Sequence, residues 1–461
     1  MFGYILLAIA IVTYVIELRR ISLFIFVTFM LNGWSVLTDT VLGVKNFDLA
    51  FIYTIVVLLL QIFYDDHPTI KDKKLRILIF IFFAFMLLNV NFSFVHYHFN
   101  SFQILQGSRA SFLVLSYFFI RKINTKDILW LNNVFFYITL ITSILYILQV
   151  FFDLPVLPYD SENVKRDEYT GILRYYNHPP LLYWYIFVSI LAPQLIKSRF
   201  TFLSSFVFIT ALVATQGRTQ IGMTIGVLVL GVIMQNRIKS IIGSVLVGLF
   251  VISQFADIID ARFEGEFNNS TESEIESIFS GGIQETVEAG NAYNVGTLTY
   301  RLAWYYERAL YLHDQPLLEK VFGLGLISDS QIETVERLYD FSLGLRDGDG
   351  NIMQLSTPDI SYGNILTKYG YFGGILYLSI WFYLLLFFFK NRKESDYSFI
   401  SFLLLLNMFL ISLAGCSISN QGNIIFPFIL YILMLHHNEK KPEDINPLQI
   451  ENHGQNQEST S

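Results

Sequence analysis

The sequence predicts an all-α polytopic membrane protein of about thirteen transmembrane helices with one large, partly helical loop on the outer side. Three observations predict it. Apolar runs of roughly 17–25 residues, the length that a bilayer core requires, recur along the chain. Of the 461 residues, 53% are hydrophobic and only 15% charged, against about 25% charged in a soluble domain. Basic residues, finally, fall in every second loop. A soluble core could not hide so many apolar runs.

The runs lie near 2–16, 21–37, 49–64, 77–93, 103–120, 128–152, 181–196, 200–216, 219–235, 240–256, 364–389, 398–415 and 423–436. The first lacks a basic leader and a small-residue cleavage site, and reads as a retained span. Arg19-Arg20, Lys71/Lys73/Lys74/Arg76, Arg121/Lys122/Lys126, Lys197/Arg199, Arg237/Lys239, Lys390/Arg392/Lys393 and Lys440/Lys441 mark alternate loops. The positive-inside rule puts those loops in the cytoplasm. The N-terminus is then expected outside and the C-terminal tail inside.

Four regions follow. Residues 1–256 form an N-terminal transmembrane bundle that includes an outer loop at 153–180. Residues 257–362 form the large outer loop, 363–436 the C-terminal transmembrane helices, and 437–461 a polar tail expected to be disordered. Half of the chain's 38 acidic residues sit in the large loop, so the net charge of −7 says little about partners and nothing points to nucleic acid. The single cysteine, Cys416, excludes a disulfide framework. No internal repeat is visible, which weighs against a transporter built on repeated halves.

The large loop is patterned. From Thr297 to His313, apolar residues at 298, 302, 305, 309 and 312 mark an amphipathic helix. Arg301 and Arg308 lie two turns apart at the edge of its apolar stripe. Phe322-Gly323-Leu324-Gly325 then breaks the helical pattern. Ser273-Glu274-Ile275-Glu276 reads as a capped helix start. Asp347-Gly348-Asp349-Gly350-Asn351 looks like the start of a calcium loop, but Ile352 and Pro358 stand where glycine and glutamate belong. It reads as an acidic turn, and no metal site is expected.

Arginine binds phosphate oxygens bidentately and keeps its charge in any environment. Arginines at an outer membrane surface therefore suit a lipid-pyrophosphate substrate. The plainer alternative is a salt bridge with a nearby acid. Arg218 is the most telling. It sits in Thr215-Gln216-Gly217-Arg218-Thr219-Gln220, between two apolar runs. A charge within a span costs roughly 2.5–3.5 kcal/mol at the bilayer centre. The plainer alternative here is an arginine that snorkels to the interface. Arg109 and Lys368, near other outer span ends, rank lower.

Four motifs resemble the O-antigen polymerase and O-antigen ligase superfamily. Gly217-Arg218-Thr219 is similar to that family's small-Arg-Ser/Thr motif between late spans. Tyr300-Arg301-Leu302-Ala303-Trp304, then Pro316 and Phe322-Gly323-Leu324-Gly325, resembles its progression in the large loop. Gly363-Asn364-Ile365-Leu366 with Gly370, Gly373 and Gly374 resembles its entry into the next span. Arg174-Tyr175-Tyr176-Asn177-His178-Pro179 resembles its Asn-Pro element. The likeness covers about 153 to 390.

The resemblance implies a GT-C-like membrane glycosyltransferase of the bacterial cytoplasmic membrane, with the large loop periplasmic. Its substrate would be an undecaprenyl-pyrophosphate-linked oligosaccharide, polymerised en bloc without metal, cofactor or nucleotide sugar. Arg218 and Arg301 would be catalytic. Arg174, His178, Arg308, Asn364 and Arg262 complete the expected substrate-binding set. Membrane lipids and a chain-length regulator are the implied partners. One departure matters: ligases carry a functional histidine before the motif asparagine, and this chain has Gly363 there. That favours polymerase over ligase and leaves the base open between His178 and an acid of the large loop. A flippase or other transporter of lipid-linked glycans is the rival from another class.

Overall fold

A computed structural model of the chain describes residues 1–64, 72–158, 164–166, 171–175, 177–235, 276–289, 297–327, 341–344, 354–355 and 360–439, with isolated positions between 242 and 253 and at 339 and 352. The chain is mostly helical. The helices are α1 (Phe2–Val15), α2 (Arg19–Met30), α3 (Asn46–Tyr64), α4 (Lys74–Val95), α5 (Ser101–Phe112), α6 (Thr125–Phe152), α7 (Leu182–Leu191), α8 (Ser204–Ala214) and α9 (Arg218–Gln235). They continue with α10 (Gly282–Ala289), α11 (Thr297–Asp314), α12 (Leu317–Phe322), α13 (Ser361–Asn391), α14 (Asp396–Ile411) and α15 (Ile425–Glu439). Strands β1 (Lys165–Arg166) and β2 (Leu173–Arg174) pair antiparallel, Lys165 opposite Arg174.

Among the described residues, five helices are long and apolar enough to cross a membrane: α3, α4, α6, α9 and α13. The other apolar runs are shorter or interrupted, for visible reasons. Run 21–37 stops at Met30, because Asn32, Gly33, Trp34 and Ser35 all have positive φ. Run 181–196 stops as a helix at Leu191, ahead of Pro193, which cannot extend it. Run 103–120 passes through a 3-10 turn at Leu113–Ser116. Run 240–256 lies largely outside the described residues. So do Arg262, Ser273, the 347–351 turn and the tail beyond 439. Large apolar side chains such as Ile62, Phe63, Ile233 and Ile375 remain exposed on the spanning helices, where acyl chains rather than water would meet them.

Helix α13 organises the C-terminal half. It packs on α4, α11, α12 and α14, while α14 also packs on α7 and α9. Gly370 interrupts α13 with φ 65°. Gly323, just after α12, has φ 82°, and the two glycines meet so closely that a Cβ on either would overlap the other's backbone nitrogen. Only glycine satisfies both the left-handed backbone and the contact. The carbonyls released by the break find donors nearby. Leu324 N donates to Thr367 O at 2.7 Å. Asn89 Nδ2 on α4 donates to Phe322 O at 3.0 Å and Lys368 O at 3.2 Å. Tyr97 Oη donates to Gly323 O at 3.1 Å, and Leu326 N to Ser93 Oγ at 3.0 Å. The segment 322–327 is thereby stitched between α4 and α13.

Candidate functional site

Arg218 opens α9, directly after a turn whose Gln216 has φ 54°. A left-handed non-glycine residue costs about 1–3 kcal/mol and persists only where its surroundings enforce it. Here Gln216 is buried, and its Nε2 donates to Leu173 O on β2 at 3.3 Å. That bond ties the Arg218 turn to the strand that carries Arg174. Both arginines are half-buried.

Helix geometry places Arg218 level with Asn364. Thr224 on α9 and Asn407 on α14 share a hydrogen bond at 3.2 Å, and Gly231 faces Leu403, so the two helices run antiparallel. Six residues back from Thr224 is Arg218. Six residues on from Asn407 is Leu413. At 1.5 Å per residue both lie about 9 Å from the contact, at the same end of the bundle. The turn at that end receives α13: Ser361 N donates to Gly415 O at 2.9 Å and Asn364 Nδ2 to Cys416 Sγ at 3.2 Å. The next residue back, Gly363, lies under the Trp304 ring, where a Cβ would overlap it. Trp304 stands three residues after Arg301 on α11, about 4.5 Å along the axis. Arg174, Arg218, Arg301 and Asn364 therefore gather at one end of the bundle, supplied by four separated stretches of chain.

His178 sits beside this group. Tyr175 O accepts from its ring, which meets the Tyr146 ring edge-on at 5.9 Å. The residue is half-buried, but its Nε2 is sealed from solvent and has no hydrogen-bond partner among the described residues. Burial, then the positive charge of Arg174, lower the imidazole pKa to about 4, although the Tyr175 carbonyl pulls the other way. The ring is therefore neutral at pH 7.

Arg308 does not sit at a rim, as the stripe implies. It is completely buried. Its guanidinium lies 4.2 Å from the Trp304 ring centroid and 4.3 Å from that of Phe341. It bonds Glu307 and Leu343 O, and donates to Gln354 O at 3.2 Å. Glu307 in turn accepts from Ser342 N and Ser342 Oγ, each at 2.7 Å. The pair fastens Ser342, Leu343 and Gln354 to α11, and Arg308 is fully enclosed there. Arg109 is also occupied, in an ion pair with Asp48. Asn89 escaped the motif reading, and the signal for it was a carboxamide inside an otherwise apolar run.

Comparison with known proteins finds no matching family model and no matching curated relative. What the site does is read from its geometry and chemistry. Four cationic or amide side chains at one end of an apolar bundle can hold an anionic headgroup whose hydrocarbon tail stays in the bilayer.

Proposed function

We propose that the chain is a membrane glycosyltransferase that polymerises lipid-pyrophosphate-linked oligosaccharide repeat units on the periplasmic face of a bacterial cytoplasmic membrane. The observation that carries this is the convergence of Arg218, Arg301, Arg174 and Asn364 at one end of the bundle, from motifs far apart in sequence. In the reaction, an acceptor sugar hydroxyl attacks the anomeric carbon of the donor glycan. The new glycosidic bond forms as the bond to pyrophosphate breaks, and the electron pair leaves with the lipid pyrophosphate. Arg218 and Arg301 meet the charge that develops there, and fixed cations stabilise such a transition state without reorganising. Holding donor and acceptor together supplies much of the remaining rate.

Polymerase is favoured over ligase by the Gly363 contact. The Trp304 ring occupies the space that a histidine side chain at 363 would need. The test is to delete the gene in its host, resolve the surface glycan on a gel, and complement with wild type, Arg218→Ala or Arg301→Ala. A polymerase leaves anchor carrying one repeat unit, which wild type extends and neither variant does. Long lipid-linked polymer that never reaches the anchor would mean ligase. Single units retained on the inner face would mean flippase.

A further inference from the structure

We propose that His178 is the proton acceptor of this glycosyl transfer, taking the proton of the incoming sugar hydroxyl at Nε2. The inference rests on the polymerase reading and fills the role that reading leaves open. The ring rests on a stretch of backbone that is held at several points. The Tyr175 carbonyl raises the ring's basicity, and among the described residues Nε2 itself has no partner. Tyr146 Oη donates to the same Tyr175 carbonyl at 2.9 Å, Ser35 Oγ to His178 O at 3.2 Å, and Thr139 Oγ1 to Pro180 O at 3.1 Å. The backbone on either side of the ring is thus held, and among the described residues nothing is bonded to Nε2.

A buried acceptor left unpaired costs about 1–3 kcal/mol. Its neighbour repeats the pattern: Asn177 Nδ2 donates to Pro158 O at 2.9 Å, while Asn177 Oδ1 is sealed and, among the described residues, unpartnered. Two consecutive residues therefore offer acceptors where donors are missing. A sugar hydroxyl is the complementary group. Among the described residues, the charged or titratable neighbours are Arg174 on β2, Tyr146 on α6, and Asp153, 3.5 Å from Tyr175 Oη.

The low basicity suits the task. A pKa of about 4 lies among the carboxylates that serve as bases in glycosyl chemistry. It keeps the lone pair free at neutral pH. It also makes the imidazolium, once formed beside Arg174, a ready acid. The proton passes from hydroxyl to Nε2 and on to water or the departing pyrophosphate, and the ring returns to its starting state.

The test uses the full-length protein in lipid nanodiscs with lipid-linked repeat units, and reads kcat and KM. If wild type extends no chain, the polymerase reading fails and this inference goes with it. If wild type extends chains, His178→Gln decides. Glutamine offers an acceptor oxygen near the position of Nε2 but takes no proton. The expected result is a fall in kcat of about 100-fold or more, the usual contribution of a general base, with KM for the acceptor little changed. A His178→Gln protein that keeps its kcat overturns the assignment. The pH profile gives a second reading. The expected kcat of wild type falls toward low pH as the ring takes up a proton, and His178→Gln lacks that fall; an acid limb that survives unchanged in His178→Gln overturns the assignment equally.

Discussion

Two regions at the same end of the bundle treat their polar groups in opposite ways. In the seam between α4, α12 and α13, the carbonyls of Phe322, Gly323, Thr367 and Lys368, freed by a broken helix, all find donors. In the proposed substrate pocket, around 173–175, 177–181 and 215–218, Leu181 and Gln216 hold left-handed backbone, and His178 Nε2 and Asn177 Oδ1 are sealed without donors among the described residues. The seam is closed chemistry, which makes it a frame. The pocket stores strain and open valence, as reactive sites do. The contrast also separates two arginines of one helix. Arg308 is enclosed by rings and carbonyls and belongs to the frame, while Arg301, two turns earlier, is half-buried at the pocket end.

That separation is tested most severely at Arg308. Arg308→Met removes a cation enclosed with Glu307, and breaking a buried pair costs about 3–5 kcal/mol. The expected outcome is a large drop in the thermal unfolding temperature in detergent, with chain extension per folded molecule retained. Arg301→Ala should do the reverse, leaving the unfolding temperature near wild type and abolishing extension. An Arg308→Met protein of wild-type stability that extends no chains would move Arg308 into the pocket and dissolve the comparison.

A smaller effect is expected at Gly370. Alanine there meets a backbone at φ 65° and the nitrogen of Gly323. The strain alone is worth about 1–3 kcal/mol. Gly370→Ala should lower the unfolding temperature and speed proteolysis of the large loop, because the stitch at 322–327 loosens. Unchanged proteolysis would mean that the loop is held elsewhere, by Glu307 and Arg308.

Much of this was legible in the sequence. Apolar runs became helices, and the 298–312 periodicity is the helix Thr297–Asp314. The glycine at 323 reads as a break, but Gly370 does not: it falls inside the expected span 364–389, and nothing local shows that the two glycines meet. Arg308 was misplaced for a physical reason. Periodicity shows which face of a helix is apolar, but not that Phe341, Leu343 and Gln354 close over its edge. Hydropathy is blind to backbone geometry, so the run 21–37 reads as one membrane helix although Asn32, Trp34 and Ser35 are left-handed. Asn89 was invisible as a partner of Phe322 and Lys368, since local sequence does not encode contacts across more than two hundred residues.

The smallest expected change in stability lies at Gln216. Replacing it with glycine relieves a left-handed backbone, about 1 kcal/mol in favour of folding. It also deletes the hydrogen bond to Leu173 O, about 0.5–1.5 kcal/mol against. The two nearly cancel, so the unfolding temperature of Gln216→Gly should stay close to wild type. Activity should not. Without that bond the strand bearing Arg174 is less firmly tied to the turn bearing Arg218, and the two cations proposed to share one pyrophosphate lose register. The expected signature is a raised KM for the lipid-linked substrate in a protein of normal stability. Were KM also unchanged, the strain at Gln216 would be mere tolerance, and the pocket would owe its register to the clamp around His178 instead.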